Sequence, residues 1–69
     1  MIYVFKTSVK YKREVDIIAK ELKKLADIHN WNFDLEDCDK ILRIDATINI
    51  AEKVHQILTI LDFYCEELL

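Results

Sequence analysis

The stretch WNFDLEDCDKILRID, residues 31–45, decides the fold. In its first six residues apolar and polar side chains alternate without a break. Trp31, Phe33 and Leu35 fall on one side, and Asn32, Asp34 and Glu36 on the other. A period of two marks a strand that buries one face and wets the other. Asp37-Cys38-Asp39-Lys40 is a polar turn, and Ile41-Leu42-Arg43-Ile44-Asp45 resumes as a second strand. The two runs read as a β-hairpin.

Upstream of the hairpin the period changes. Val15, Ile18, Ala19, Leu22 and Leu25 recur at three- and four-residue spacing, so the segment from about Lys12 to Ile28 reads as an amphipathic helix. Asn30 is placed to leave that helix in a left-handed conformation, the role glycine usually takes. Ahead of the helix, Ile2-Tyr3-Val4-Phe5 is a short β-branched and aromatic run, apolar on both parities. That suits a central strand. Thr7 and Ser8, in the junction, are candidate helix caps. Downstream, Asn49-Ile50-Ala51-Glu52 resembles a capping box, and Ile50, Val54, Ile57, Leu58 and Leu61 form the stripe of a second helix. Phe63 to Leu68 closes as a last short strand.

The order β-α-β-β-α-β, without linker or repeat, makes one domain over residues 1–69. It is an α+β fold, the split βαβ or ferredoxin-like sandwich: four antiparallel strands with two helices on one face. In the usual strand order of that fold, 4-1-3-2, the first and third strands are central, in keeping with the all-apolar first strand. A chain of 69 residues has room for one modest core. It holds no Gly and no Pro. Any residue with positive φ must therefore be Asn, Asp, Lys or His, and every Gly-rich phosphate loop is excluded.

The net charge of −3 disfavours nucleic-acid binding as a global property. No apolar run has the length to span a bilayer, and no signal-peptide pattern follows Met1. Two cysteines, Cys38 and Cys65, are too few for a disulfide framework. Free thiols suit a reducing compartment, so a cytoplasmic location is expected.

In order and spacing, three segments resemble the heavy-metal-associated domain family, above all its bacterial copper-chaperone-like members. Phe5-Lys6-Thr7-Ser8-Val9-Lys10 matches the approach to that family's metal loop. Ile28, Trp31, Phe33 and Asp34 match a second segment, and Asp39-Lys40-Ile41-Leu42 with Ile44 a third. The resemblance spans essentially the whole chain. It implies a ferredoxin-like fold and, where the family keeps C-x-x-C, a site for copper or another heavy metal. Here those two ligand positions fall on Tyr11 and Glu14, in Tyr11-Lys12-Arg13-Glu14. A phenol and a carboxylate are hard donors, poorly matched to Cu(I), and Lys12 and Arg13 repel a cation. The expectation is a degenerate site with no metal and no cofactor. Copper or another heavy metal held by Cys38, or by carboxylates near the loop, is the weaker alternative.

Nothing in the sequence assembles a nucleophile with a base, so no enzymatic activity is expected. His29, expected near the end of the first helix, and His55 lack the spacing of a zinc site. The acidic turn of Asp34, Glu36, Asp37 and Asp39 is expected at the same end of the molecule as Lys10, Lys12 and Arg13, with attraction between the two sets. The remaining candidate surface is the open sheet face. With Tyr3 and Phe5 turned to the helices, Ile2 and Val4 face out beside Ile41, offering a small apolar patch to a second copy or another protein. The opposite parity would put Tyr3 and Phe5 outside instead. Lys10, Lys12 and Arg13 in the loop are the other interaction candidates.

Overall fold

The structure is a computed structural model that describes residues 1–36 and 38–68. Asp37, placed by sequence in the hairpin turn, lies outside the described residues. The elements are β1 (Ile2–Thr7), α1 (Lys12–Leu22), β2 (Ile28–Asp34), β3 (Ile41–Ala46), α2 (Ala51–Ile60) and β4 (Cys65–Leu68). All four strands join one antiparallel sheet in the order β2-β3-β1-β4. This is the ferredoxin-like arrangement, with β1 and β3 central.

Residues directly opposite one another in a ladder share a face. Phe5 pairs with Leu42, and Leu42 with Phe33; Tyr3 pairs with Ile44, and Ile44 with Trp31. These residues line the helix side of the sheet. Ile18 and Leu22 of α1, and Val54 and Leu58 of α2, pack over them with Ile50, Ala46 and Cys65 in one core. The parity of β1 is thereby fixed: Tyr3, Phe5 and Thr7 point to the helices, while Ile2, Val4 and Lys6 point to the open face.

Helix α1 ends at Leu22, about six residues earlier than its periodicity predicts. The Lys23 N–H still reaches the Ala19 carbonyl at 3.0 Å. Lys24 and Leu25 then donate to Glu21 and Leu22, three residues back, in a tightened final turn. Ile28 is the first residue of β2, not the last of the helix. The three-residue step from Ile28 to Trp31 reads as helical, yet both side chains pack against the core from the strand. A register shift allows this. Ile28 pairs with Ala46 and Asn30 with Asp45, so two steps on β2 match one on β3. His29 is the extra residue of this β-bulge, which resets the parity so that Ile28 and Trp31 face the same way. His29 therefore lies in a strand, where its Nε2 hydrogen-bonds the Thr47 hydroxyl. Asn30 is no helix exit: its side-chain oxygen accepts the Trp31 N–H at 2.9 Å.

The two positive φ angles among the described residues fall on Lys40 and Asp62, two of the residue types a chain without glycine must use. Lys40 closes the β2–β3 connection, and its ammonium donates to the Leu35 carbonyl at 2.7 Å. Asp62 turns the chain from α2 into β4. Before α2, the Asn49 side chain accepts the Ala51 N–H at 3.0 Å, one residue ahead of the cap position at Ile50. No helix among the described residues is long and apolar enough to cross a membrane.

Candidate functional site

The loop from β1 to α1 is braced on three sides. On one side the Thr7 N–H donates to the Asp39 carbonyl at 3.2 Å, and the Thr7 hydroxyl to the Lys40 carbonyl at 2.6 Å. On the other, the Ser8 N–H donates to the Tyr64 carbonyl, and the Tyr64 N–H returns a bond to the Ser8 hydroxyl at 2.8 Å. From below, Val9 is fully buried and belongs to the core. Thr7 and Ser8 are thus ties between connections, not caps of α1. Thr7 is itself buried, and its hydroxyl also accepts the Val9 N–H, so its polar oxygen is satisfied twice.

The cap comes from Tyr11 and Glu14. Tyr11 is the cap residue in extended conformation, and its carbonyl accepts the Glu14 and Val15 N–H groups. The Glu14 carboxylate reaches back to accept the N–H of Lys10 at 2.9 Å and of Tyr11 at 3.1 Å, the glutamate arm of a capping box. The Lys10 N–H bond is the largest influence holding the Glu14 carboxyl below its ordinary pKa. Desolvation comes next and opposes it, and the Tyr11 N–H and the charges of Arg13 and Lys10 add to the lowering. The Arg13 guanidinium lies over the Tyr11 ring, 4.6 Å from its centroid, in a cation–π contact. Lys10, Lys12 and Arg13 are exposed.

The ion pair described at this end has a basic member outside the expected set of Lys10, Lys12 and Arg13. Lys6, from the open face of β1, bridges Asp39 at 3.5 Å. Both partners are nearly half exposed, so the pair is worth about 0–1 kcal/mol.

The open face carries Ile2, Val4 and Lys6 of β1, Ile41, Arg43 and Asp45 of β3, and Glu66 and Leu68 of β4. Ile2 is 64 % exposed and Val4 half-buried, as a patch requires. Ile41 is only 5 % exposed, so it cannot offer the contact area expected of it; its cross-strand neighbours on that face are Lys6 and Asp34. Leu68, opposite Val4, takes its place in the apolar row. A shallow hollow of about 170 Å³ beside Ile2, Asn32, Arg43 and Asp45 completes this side.

Cys38 is exposed and Cys65 buried, both as free thiols. Burial, with a smaller contribution from the Glu67 charge, pushes the Cys65 thiol up to about 11. Among the described residues no three His, Cys, Asp or Glu side chains are placed to hold a metal ion together. Nor do Tyr11 and Glu14 offer donors that suit a soft cation. The Glu14 oxygen is bonded to two amides, and the Tyr11 ring lies beneath a guanidinium.

Three contributors escape a reading of periodicity: Val9, Thr7 and Glu67. Val9 is a lone apolar residue in a polar stretch, which is itself a faint signal of burial. Glu67 follows from parity once Cys65 is known to point inward. Compared with protein-family models, curated proteins and solved structures, the chain matches none.

Proposed function

We propose that this chain is a small non-enzymatic module, built on a heavy-metal-associated type of scaffold, that has lost metal binding and works through protein contacts. The observation that carries this reading is the use of Glu14. The carboxylate standing where a thiolate would be needed caps the helix, accepting from Lys10 and Tyr11. A group so engaged serves the fold, and its hard oxygen is a poor donor to Cu(I). What is left for function is surface. The open face offers Ile2 and Val4 with Leu68, and the end of the β1–α1 loop with the first turn of α1 offers the exposed cations Lys10, Lys12 and Arg13. The occupant is a second copy or another protein, in a reducing compartment such as the cytoplasm, which suits two free thiols.

Titration with Cu(I) under reducing conditions tests the reading. No stoichiometric binding is expected; one ion per chain held at sub-micromolar affinity overturns it. Uptake that disappears in Cys38→Ser would favour the alternative in which the exposed thiol retains a metal role.

A further inference from the structure

The last strand breaks the pattern of the sheet it belongs to. In β4, Cys65 pairs with Thr7 and Glu67 with Phe5, so both lie on the helix side, while Glu66 and Leu68 lie on the open face. A carboxylate thus occupies an inner-face position and a leucine an outer one. Such a conflict between pattern and fold marks positions where something besides folding is served. Glu67 is exposed because the layer is incomplete there. A cleft of about 270 Å³ opens between α2 and the sheet, floored by Phe5 and Ala51 and flanked by Glu52, His55 and Glu67. No lysine or arginine lines it.

The cleft lies along a free backbone edge. β4 ends the sheet order and, among the described residues, pairs only with β1. An unpaired edge is a template for another strand unless something blunts it. The opposite edge, β2, carries the bulge at His29; β4 has a regular register, and its shortness and the charges of Glu66 and Glu67 guard it against apolar or acidic strands while leaving it open to a basic one. A second copy is a poor occupant, because antiparallel pairing of two β4 strands sets Glu66 and Glu67 against their own like charges.

We propose that the edge of β4 accepts an extended basic peptide segment as a fifth strand. Main-chain hydrogen bonds supply the pairing, and alternate side chains supply the selectivity. One parity of the incoming strand projects toward the cleft, where Glu52 and Glu67 favour lysine or arginine. The other lies beside Glu66 and Leu68 on the open face, where a small apolar residue suits the place next to Leu68. The surface is separate from the β1–α1 loop, so the proposal stands or falls apart from the metal question.

The test uses the full chain, 15N-labelled, titrated with a short capped peptide of alternating Lys and Val. Saturable amide shifts are expected at 65–68 and at His55, with slowed amide exchange in β4. Glu67→Gln should weaken binding by roughly two- to fivefold, the range for one exposed ion pair. A peptide N-methylated along one edge should lose binding, because it cannot complete the ladder. Three results overturn the proposal: no shifts up to about 5 mM peptide, equal binding of an alternating Glu and Val peptide, or shifts confined to residues 10–14.

Discussion

Glu14 and Thr7 show how single side chains hold the β1–α1 loop. A carboxyl whose folded-state pKa lies below its unfolded value stabilises the fold fully above the unfolded value. That contribution fades as pH falls through the folded value. Glu14 is such a group. Its replacement in Glu14→Gln should flatten the acid limb of stability while leaving most of the neutral-pH value, because the amide oxygen can still accept an N–H. Glu14→Ala should lower the urea midpoint at neutral pH as well. Urea melts of the three proteins at about pH 7 and about pH 3 check this; an unchanged acid limb in Glu14→Gln would sink the cap as its source. Thr7→Val keeps the shape but removes a buried hydroxyl that donates to Lys40 and accepts from Val9. Leaving those partners unpaired should cost about 1–3 kcal/mol, read from the same melts. Neither role is visible from residue type alone. A Thr-Ser pair before a helix looks like a cap, and only the hairpin packed beside it turns Thr7 into a tie.

The elements differ in how plainly the sequence announces them. The alternation in Trp31-Asn32-Phe33-Asp34 and the run Ile41-Leu42-Arg43-Ile44 specify β2 and β3 because one face of each must be buried. The end of α1 is not announced. Leu25 and Ile28 continue the helical period, and no glycine or proline interrupts it. The helix stops because Ile28 gains more by pairing with Ala46 and packing on the core, a tertiary override of local preference. The bulge at His29 was equally hidden, since one extra residue carries no compositional mark. Connections without glycine leave their own trace. Asp62 sits at φ 69°, where a non-glycine residue is strained. Asp62→Gly should therefore raise stability by roughly 0–1 kcal/mol once the added freedom of the unfolded chain is counted, whereas Asp62→Val should lower it by more. Calorimetric Tm values in the order Gly above Asp above Val test this, and a Gly variant that melts lower than Val contradicts it.

At the scale of the whole molecule, one small core holds six elements, and a loop residue belongs to it. Val9→Ala should cost about 2 kcal/mol from lost burial and the cavity left behind. That is a large share of the roughly 3–5 kcal/mol available to so small a domain, and denaturant unfolding will measure it. The thiols report the same integrity. Cys65, buried and with its pKa pushed up to about 11, should resist alkylation at about pH 8 while exposed Cys38 reacts. Mass spectrometry should find a single label on the native chain and a second only in denaturant; equal rates at both sites would contradict the core. The sequence by itself determined the element order, the hairpin, the central place of β1 and the presence of hard donors at Tyr11 and Glu14. These follow from periodicity and residue chemistry, which are local. Only the tertiary structure decided where α1 stops, that Ile41 is covered, that Lys6 bridges Asp39, and that Glu14 caps a helix. It also placed Glu67 over a cleft on the helix side. Each of these depends on which distant residue lies opposite, and cross-strand register is a property of the assembled sheet that no single strand encodes.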